Sequence, residues 1–134
     1  MSPPRLPLTP DDALRQRCSR ALRDQRRRAA LVGQTLAYGV EDLMELARQA
    51  KRCCYCRAPL AFDLSFDHKT ALARNGRHAL DNLALCCRRC QMLKGRLNSD
   101  EFTALLSFLS QLHPAARQDL ERRLLAGGVR YCRR

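Results

Sequence analysis

The chain has 134 residues, a net charge of +12 and a pI of about 10.1, and 22 of its 25 basic residues are Arg. That length fits one compact domain with short extensions, and that charge points to a polyanionic partner, most simply nucleic acid. With three Lys, three Tyr, four Phe and no Trp, an anionic membrane surface is the poorer match, and no stretch is apolar enough to span a bilayer.

Residues 1–10 carry four prolines and read as an extended arm. They lack the apolar run of a signal peptide. Residues 11–52 read as two helices. Thr9 can cap the first, with Pro10 at its first position, Asp11 and Asp12 in its first turn, and Gly33 as its stop after Val32. Leu14, Cys18, Leu22, Ala29 and Val32 share one stripe, and Arg20, Arg23, Arg26 and Arg27 lie away from it. Those arginines read equally as a solvated face or as a phosphate-contacting one. The second helix is expected over 40–51, with Glu41 and Asp42 at its start and Leu43, Leu46, Ala47 and Ala50 inward. The two helices are expected to cover the module that follows.

Residues 53–97 hold the chemistry. Cys53 and Cys56 form one Cys-x-x-Cys pair, and Cys87 and Cys90 form a second. Two such turns can aim four thiolates at one ion and leave no open coordination position, which describes a structural zinc site. A chain this size buries a modest core, and a metal staple strengthens it. Cys54 and Cys86 sit beside ligand candidates but break the two-residue spacing. Four-thiolate iron stays open on sequence grounds. A redox dithiol would use one pair, not two. Paired ligands in a reducing compartment predict a cytoplasmic protein.

Between the pairs, Phe62–Phe66 reads as a short strand ending at Asp67-His68, Arg74–Arg77 as a turn, and Leu83–Leu85 as a returning strand. A helix follows from Cys87 to about Leu97. This is a ββα layout. Adjacent strand residues point to opposite faces, so Asp67 and His68 share a face only if the strand bends or bulges there. The carboxylate suits a hard cation, and the imidazole suits water activation. Residues 98–134 read as two helices and a basic tail. Asn98 or Ser99 caps the first, Phe102, Leu105, Leu106 and Leu109 face inward, and Pro114 starts the second. That second helix is expected to stop at Gly127-Gly128. Cys18 reads as packed, Cys132 as an exposed thiol and His113 as structural.

The combination Cys53-x-x-Cys56, Asp67-His68, Asn75-Gly76, Asn82-Leu83, Cys87-x-x-Cys90 and Lys94-Gly95 resembles the HNH endonuclease family, in its treble-clef subgroup with four zinc cysteines. The resemblance covers about a third of the chain. It implies a zinc-stapled ββα-metal core; with the flanking N- and C-terminal helices read above, which lie outside the resemblance, the fold class is α+β, mainly helical. The resemblance implies His68 as general base, Asn82 as a brace that orients His68, and Asp67 as a ligand of a catalytic Mg²⁺ or Mn²⁺. The second ligand would be Gln91, where the family usually has Asn or His, one methylene shorter in the case of Asn. Ala71 stands where the family often has Pro. Arg74, Arg77, His78, Arg88, Arg89, Lys94 and Arg96 would contact the nucleic acid, with His78 equally able to support the metal site or bond within its loop.

The activity implied is hydrolysis of DNA phosphodiesters, leaving 5′-phosphate and 3′-hydroxyl ends. The partner is DNA, expected to be double-stranded, and a homodimer would allow both strands to be cut. The alternative is a zinc-stabilised module that binds nucleic acid without cutting it. A protein-interaction adaptor is a third reading, and the charge argues against it as a sole role.

Overall fold

The computed structural model describes residues 4, 6–60 and 63–132, the side chains of 128–132 excepted. The chain divides into two compact units, Met1–Gln49 and Ala50–Arg134.

The first unit is a pair of helices, α1 (Pro10–Leu31) and α2 (Val40–Gln49). Thr9 caps α1 as expected: its hydroxyl accepts from the Asp12 N–H at 3.1 Å, and the Asp12 carboxylate accepts from the Thr9 N–H at 3.3 Å. Gly33 then turns the chain with φ +71°, a left-handed conformation that a Cβ disfavours. Cys18, Leu22, Gln25 and Ala29 form the buried stripe of α1. Val32, expected on that stripe, is exposed, because it lies past the last helical turn as the C-cap. Gln25 tolerates burial because its carbonyl oxygen accepts from the Tyr38 hydroxyl. On α2 the buried residues are Leu43, Met44 and Ala47.

The second unit is built on a two-stranded antiparallel sheet, β1 (Leu64–His68) with β2 (Leu83–Cys87). The strand over 62–66 is therefore displaced toward His68, and Phe62 lies outside the described residues. Register is continuous from Leu64 opposite Cys87 to His68 opposite Leu83. The bulge that would put Asp67 and His68 on one face does not form. The ladder pairs both residues, so their side chains leave opposite faces of the sheet.

Three helices follow: α3 (Arg88–Lys94), α4 (Ser99–Ser110) and α5 (Pro114–Cys132). Gly95 ends α3 with φ +53°. Asn98 precedes α4 as its N-cap, and its own N–H donates to Glu101 at 2.9 Å. The expected stop of α5 at Gly127-Gly128 is not used, and the helix continues to Cys132. A glycine pair weakens a helix, but it ends one only where the backbone turns left-handed, as at Gly33 and Gly95. Cys132 lies in that last turn, and its side chain is outside the described set.

The core of the second unit joins the cysteine turns to the helices. Cys53, Cys86, Cys87, Cys90, Leu93 and Phe102 are buried together, with Tyr55, Leu60, Leu97, Leu105, Leu106, Leu124 and Leu125 packed against them. Phe102 is fully buried and meets the Tyr55 ring edge-on, with 5.0 Å between centroids. Burial of one such aromatic contributes roughly 1.5–3 kcal/mol. Among the described residues no helix is long and apolar enough to cross a membrane.

Candidate metal centre and active site

The sulfurs of Cys53, Cys56, Cys87 and Cys90 lie within 4.8 Å of one another. Each pair is a tight turn whose N–H groups point back at its first sulfur. Tyr55 and Cys56 donate to Cys53 Sγ at 3.4 and 3.5 Å, and Cys90 donates to Cys87 Sγ at 3.4 Å. Cys87 is also the N-cap of α3, so the second turn and the helix form together. The first turn is fastened to the sheet through the Cys54 N–H to the Leu85 carbonyl at 3.1 Å. It closes at Arg57, whose φ is +65°.

Desolvation raises the Cys53 thiol, but the backbone N–H groups of Cys56, Cys87 and Tyr55 outweigh it and hold the group down at about 7. Desolvation pushes Cys87 and Cys90 up. Four thiolates this close repel one another unless a cation sits among them, and a tetrahedral zinc resolves the conflict. The donor set, the spacing and the pairwise distances all fit that ion. Cys54 and Cys86 are not part of the cluster. Desolvation holds Cys54 up at about 11 and Cys86 higher still, so both remain thiols.

Asp67 leaves β1 toward the interior. Its Oδ2 accepts from the Tyr55 hydroxyl at 2.9 Å and pairs with Lys94 Nζ at 3.2 Å. Burial raises the Asp67 carboxyl above its ordinary value, and Lys94 and Tyr55 oppose that rise without cancelling it. Burial likewise pushes the Tyr55 phenol up, so it keeps its proton for Asp67. With that proton spent, the phenol oxygen accepts from Ser99 at 2.7 Å. Lys94 also donates to the His68 carbonyl at 2.9 Å. Lys94 is 2% exposed, which corrects its expected place at the nucleic-acid surface. From the interior it neutralises a carboxylate and ties down the end of β1.

His68 lies on the other face, with its ring 6.2 Å from that of His78, edge to face. The structure thus brings His78 beside His68. Each ring buries one nitrogen that makes no hydrogen bond within the described residues, Nε2 in His68 and Nδ1 in His78.

Asn82 is 8% exposed, and its amide bonds through both its oxygen and its nitrogen. Its Oδ1 accepts from the Thr70 N–H at 2.9 Å, and its Nδ2 donates to the Thr70 carbonyl at 3.1 Å and the Arg77 carbonyl at 2.9 Å. This clamps both ends of the loop that follows His68. Gly76 lies against the same segment. A Cβ there would sit 1.9 Å from the Thr70 carbonyl oxygen and 2.9 Å from that of Ala71. Asn75 before it takes φ +64°, which suits Asn. Ala71 donates to Asn98 Oδ1 at 3.1 Å, so the loop is anchored to the start of α4 as well.

Gln91 lies on α3 over β1, and its Nε2 donates to the Phe66 carbonyl at 3.2 Å. Of the basic residues, Arg74 pairs with Glu101, Arg77 with Asp81 and Arg89 with Glu121. These arginine side chains are all exposed to solvent, so a phosphate can take the place of the carboxylate. Arg88 at the start of α3 and Arg96 just past its end are both exposed.

Residues 53–96 match the family described as HNH endonuclease. The match spans the whole of both cysteine turns, the two strands and α3, and it gives this HNH segment a nuclease or nucleic-acid-related role. No curated protein and no solved structure matches the chain. Two structural features of the HNH segment find their physical reason only in the fold. Tyr55 reads as a filler between cysteines until the fold brings it to Asp67. The demand for glycine at 76 arises from a backbone six residues away.

Proposed function

We propose that the HNH segment is a metal-dependent endonuclease that hydrolyses DNA phosphodiester bonds. The observation that carries this reading is the triple bonding of Asn82, which fixes the loop leaving His68 at the end of β1. A reacting imidazole needs a set position, because a displacement of about 1 Å costs on the order of a hundredfold in rate. His68 would accept the proton of the attacking water, the usual work of an imidazole near neutral pH. Asn82 would set its orientation through the loop.

Asp67 and Gln91 would hold Mg²⁺ or Mn²⁺. They offer a carboxylate and an amide oxygen from β1 and α3, a hard donor set suited to such ions. When bound, the ion neutralises charge that develops on the phosphate. Arg74, Arg77, Arg88, Arg89 and Arg96 would hold the backbone on both sides of the scissile bond, with His78 beside His68 completing the contact surface. One such site cuts one strand, so cleavage of a duplex calls for two copies.

One observation favours the second reading, a zinc-stabilised module that binds nucleic acid without cutting it. The Asp67 carboxylate is already shared between Lys94 and Tyr55. Incubation of the zinc-loaded protein with supercoiled plasmid and Mg²⁺, Mn²⁺ or EDTA, alongside His68→Ala, separates the two. Metal-dependent nicking that His68→Ala abolishes is the expected result. No nicking with either metal, or equal nicking by the variant, leaves the binding module.

A further inference from the structure

We infer that the outer face of α1 is a second nucleic-acid contact, a docking surface for the phosphate backbone of duplex DNA. The inference rests on the nucleic-acid reading of the HNH segment, but it concerns residues outside that segment.

Between positions 17 and 28, α1 carries six arginines, Arg17, Arg20, Arg23, Arg26, Arg27 and Arg28, against one acid, Asp24. Gln16, Arg20, Arg23 and Arg27 recur at i, i+4, i+7 and i+11, opposite the buried stripe of Cys18, Leu22, Gln25 and Ala29. Arg26 flanks them, and Arg20, Arg23, Arg26 and Arg27 are all exposed.

A helix that only needs solubility interleaves its charges, because like charges three and four residues apart repel. Here several acids of the unit are engaged elsewhere. Asp11 pairs with Arg48, Glu41 with Arg15, and Asp24 with both Arg27 and Arg28. Arg20, Arg23 and Arg26 are left without an ion pair among the described residues. Their mutual repulsion is relieved when a polyanion lies against them. The stripe from Arg20 to Arg27 covers about two turns, roughly 10 Å of helix. A duplex presents one negative charge per about 1.7 Å of axis, so several phosphates fall within its reach. Guanidinium groups grip phosphate through two parallel N–H bonds, which an ammonium cannot do. Such contacts read no base edges. They add affinity and salt dependence to whatever the HNH segment binds.

The test is a titration of labelled duplex DNA by fluorescence anisotropy over a series of NaCl concentrations, using the full zinc-loaded chain without added Mg²⁺. The variant is Arg20→Gln/Arg23→Gln/Arg26→Gln. The control is Arg117→Gln/Arg122→Gln/Arg123→Gln on α5, which removes the same net charge. The α1 variant is expected to bind about tenfold more weakly at low salt, with a log–log salt slope shallower by about 2–3 and unchanged helix content. An unchanged slope overturns the proposal, as does an equal loss in the α5 control, which would mean net charge alone. If the parent binds phosphatidylserine vesicles, the α1 variant does not, and DNA binding is unmoved, the face serves a membrane surface and the proposal falls. The readout is binding, so a failure to cleave plasmid counts against the endonuclease reading and not against this contact.

Discussion

Lys94 Nζ lies 3.2 Å from Asp67 Oδ2 with both side chains buried, 1% and 9% exposed. A buried pair is held in place less by its own attraction than by the cost of leaving either charge alone. Lys94→Met should therefore destabilise the protein by about 3–5 kcal/mol. Lys94→Met/Asp67→Asn should recover much of that loss. Urea denaturation of the parent, both singles and the double at fixed zinc checks the non-additivity. Equal, additive losses would mean that the two groups do not interact.

Zinc removal should unfold the second unit, because the cysteine turns cap α3 and contribute sulfurs to the buried cluster. Elemental analysis should find about one zinc per chain. Cys87→Ser should lose the zinc and melt at lower temperature. Cys54→Ser should keep it, since Cys54 is outside the cluster. Iron in place of zinc would overturn the assignment of the metal.

The loop after His68 depends on two small features that can be removed one at a time. Asn82→Ala leaves the Thr70 N–H and two carbonyls without their partner, at a cost of about 1–3 kcal/mol for each group that water cannot reach. Gly76→Ala pushes a methyl into backbone that cannot yield cheaply, at a cost of about 1–3 kcal/mol. Thermal melts measure both. In the plasmid assay both should lower nicking by far more than the fraction unfolded, because each displaces the segment that follows His68.

Acid should weaken the anchor of this loop. Glu101 accepts from the Asn98 N–H, the larger effect, and from Arg74, and both hold its carboxyl below the ordinary value. A carboxyl depressed in the folded state stabilises the fold above its unfolded value, about 4.3. That contribution is lost as pH falls through the lower folded value. Glu101→Gln should therefore be less stable than the parent at neutral pH, with the gap narrowing below about pH 4. Paired denaturation curves at matched pH give the difference free of zinc release, which affects both proteins alike.

Some of this was local and could be read from the chain. The cysteine spacing picks the four ligands, because two residues between thiols is a property of the turn itself. Thr9 before Pro10, and Asn98 before Asp100 and Glu101, place helix starts for the same reason: the capping groups lie within three residues of one another. The ββα layout came from apolar alternation and turn residues, and the place of Asn82 in the site from the family resemblance. The face of each strand residue did not. Alternation puts Asp67 and His68 on opposite sides, but only the unbroken register with β2 decides that no bulge intervenes and that Asp67 is the one turned inward. Lys94 looked like a surface base until its partner, 27 positions earlier, proved to be in the interior. Gly127-Gly128 looked like a stop, but a glycine permits a left-handed turn without requiring one.

By itself the sequence determined what depends on neighbours along the chain: the two Cys-x-x-Cys pairs that supply the four-cysteine cluster, most helix starts, the excess of arginine and the family pattern of residues 53–96. The tertiary structure alone decided what depends on neighbours in space. It buried Lys94 against Asp67, carried Tyr55 from the first cysteine turn to the same carboxylate, set His78 beside His68, and made glycine obligatory at 76. Those pairings span sequence separations at which composition and periodicity carry no information, because they arise from how β1, β2 and α3 pack.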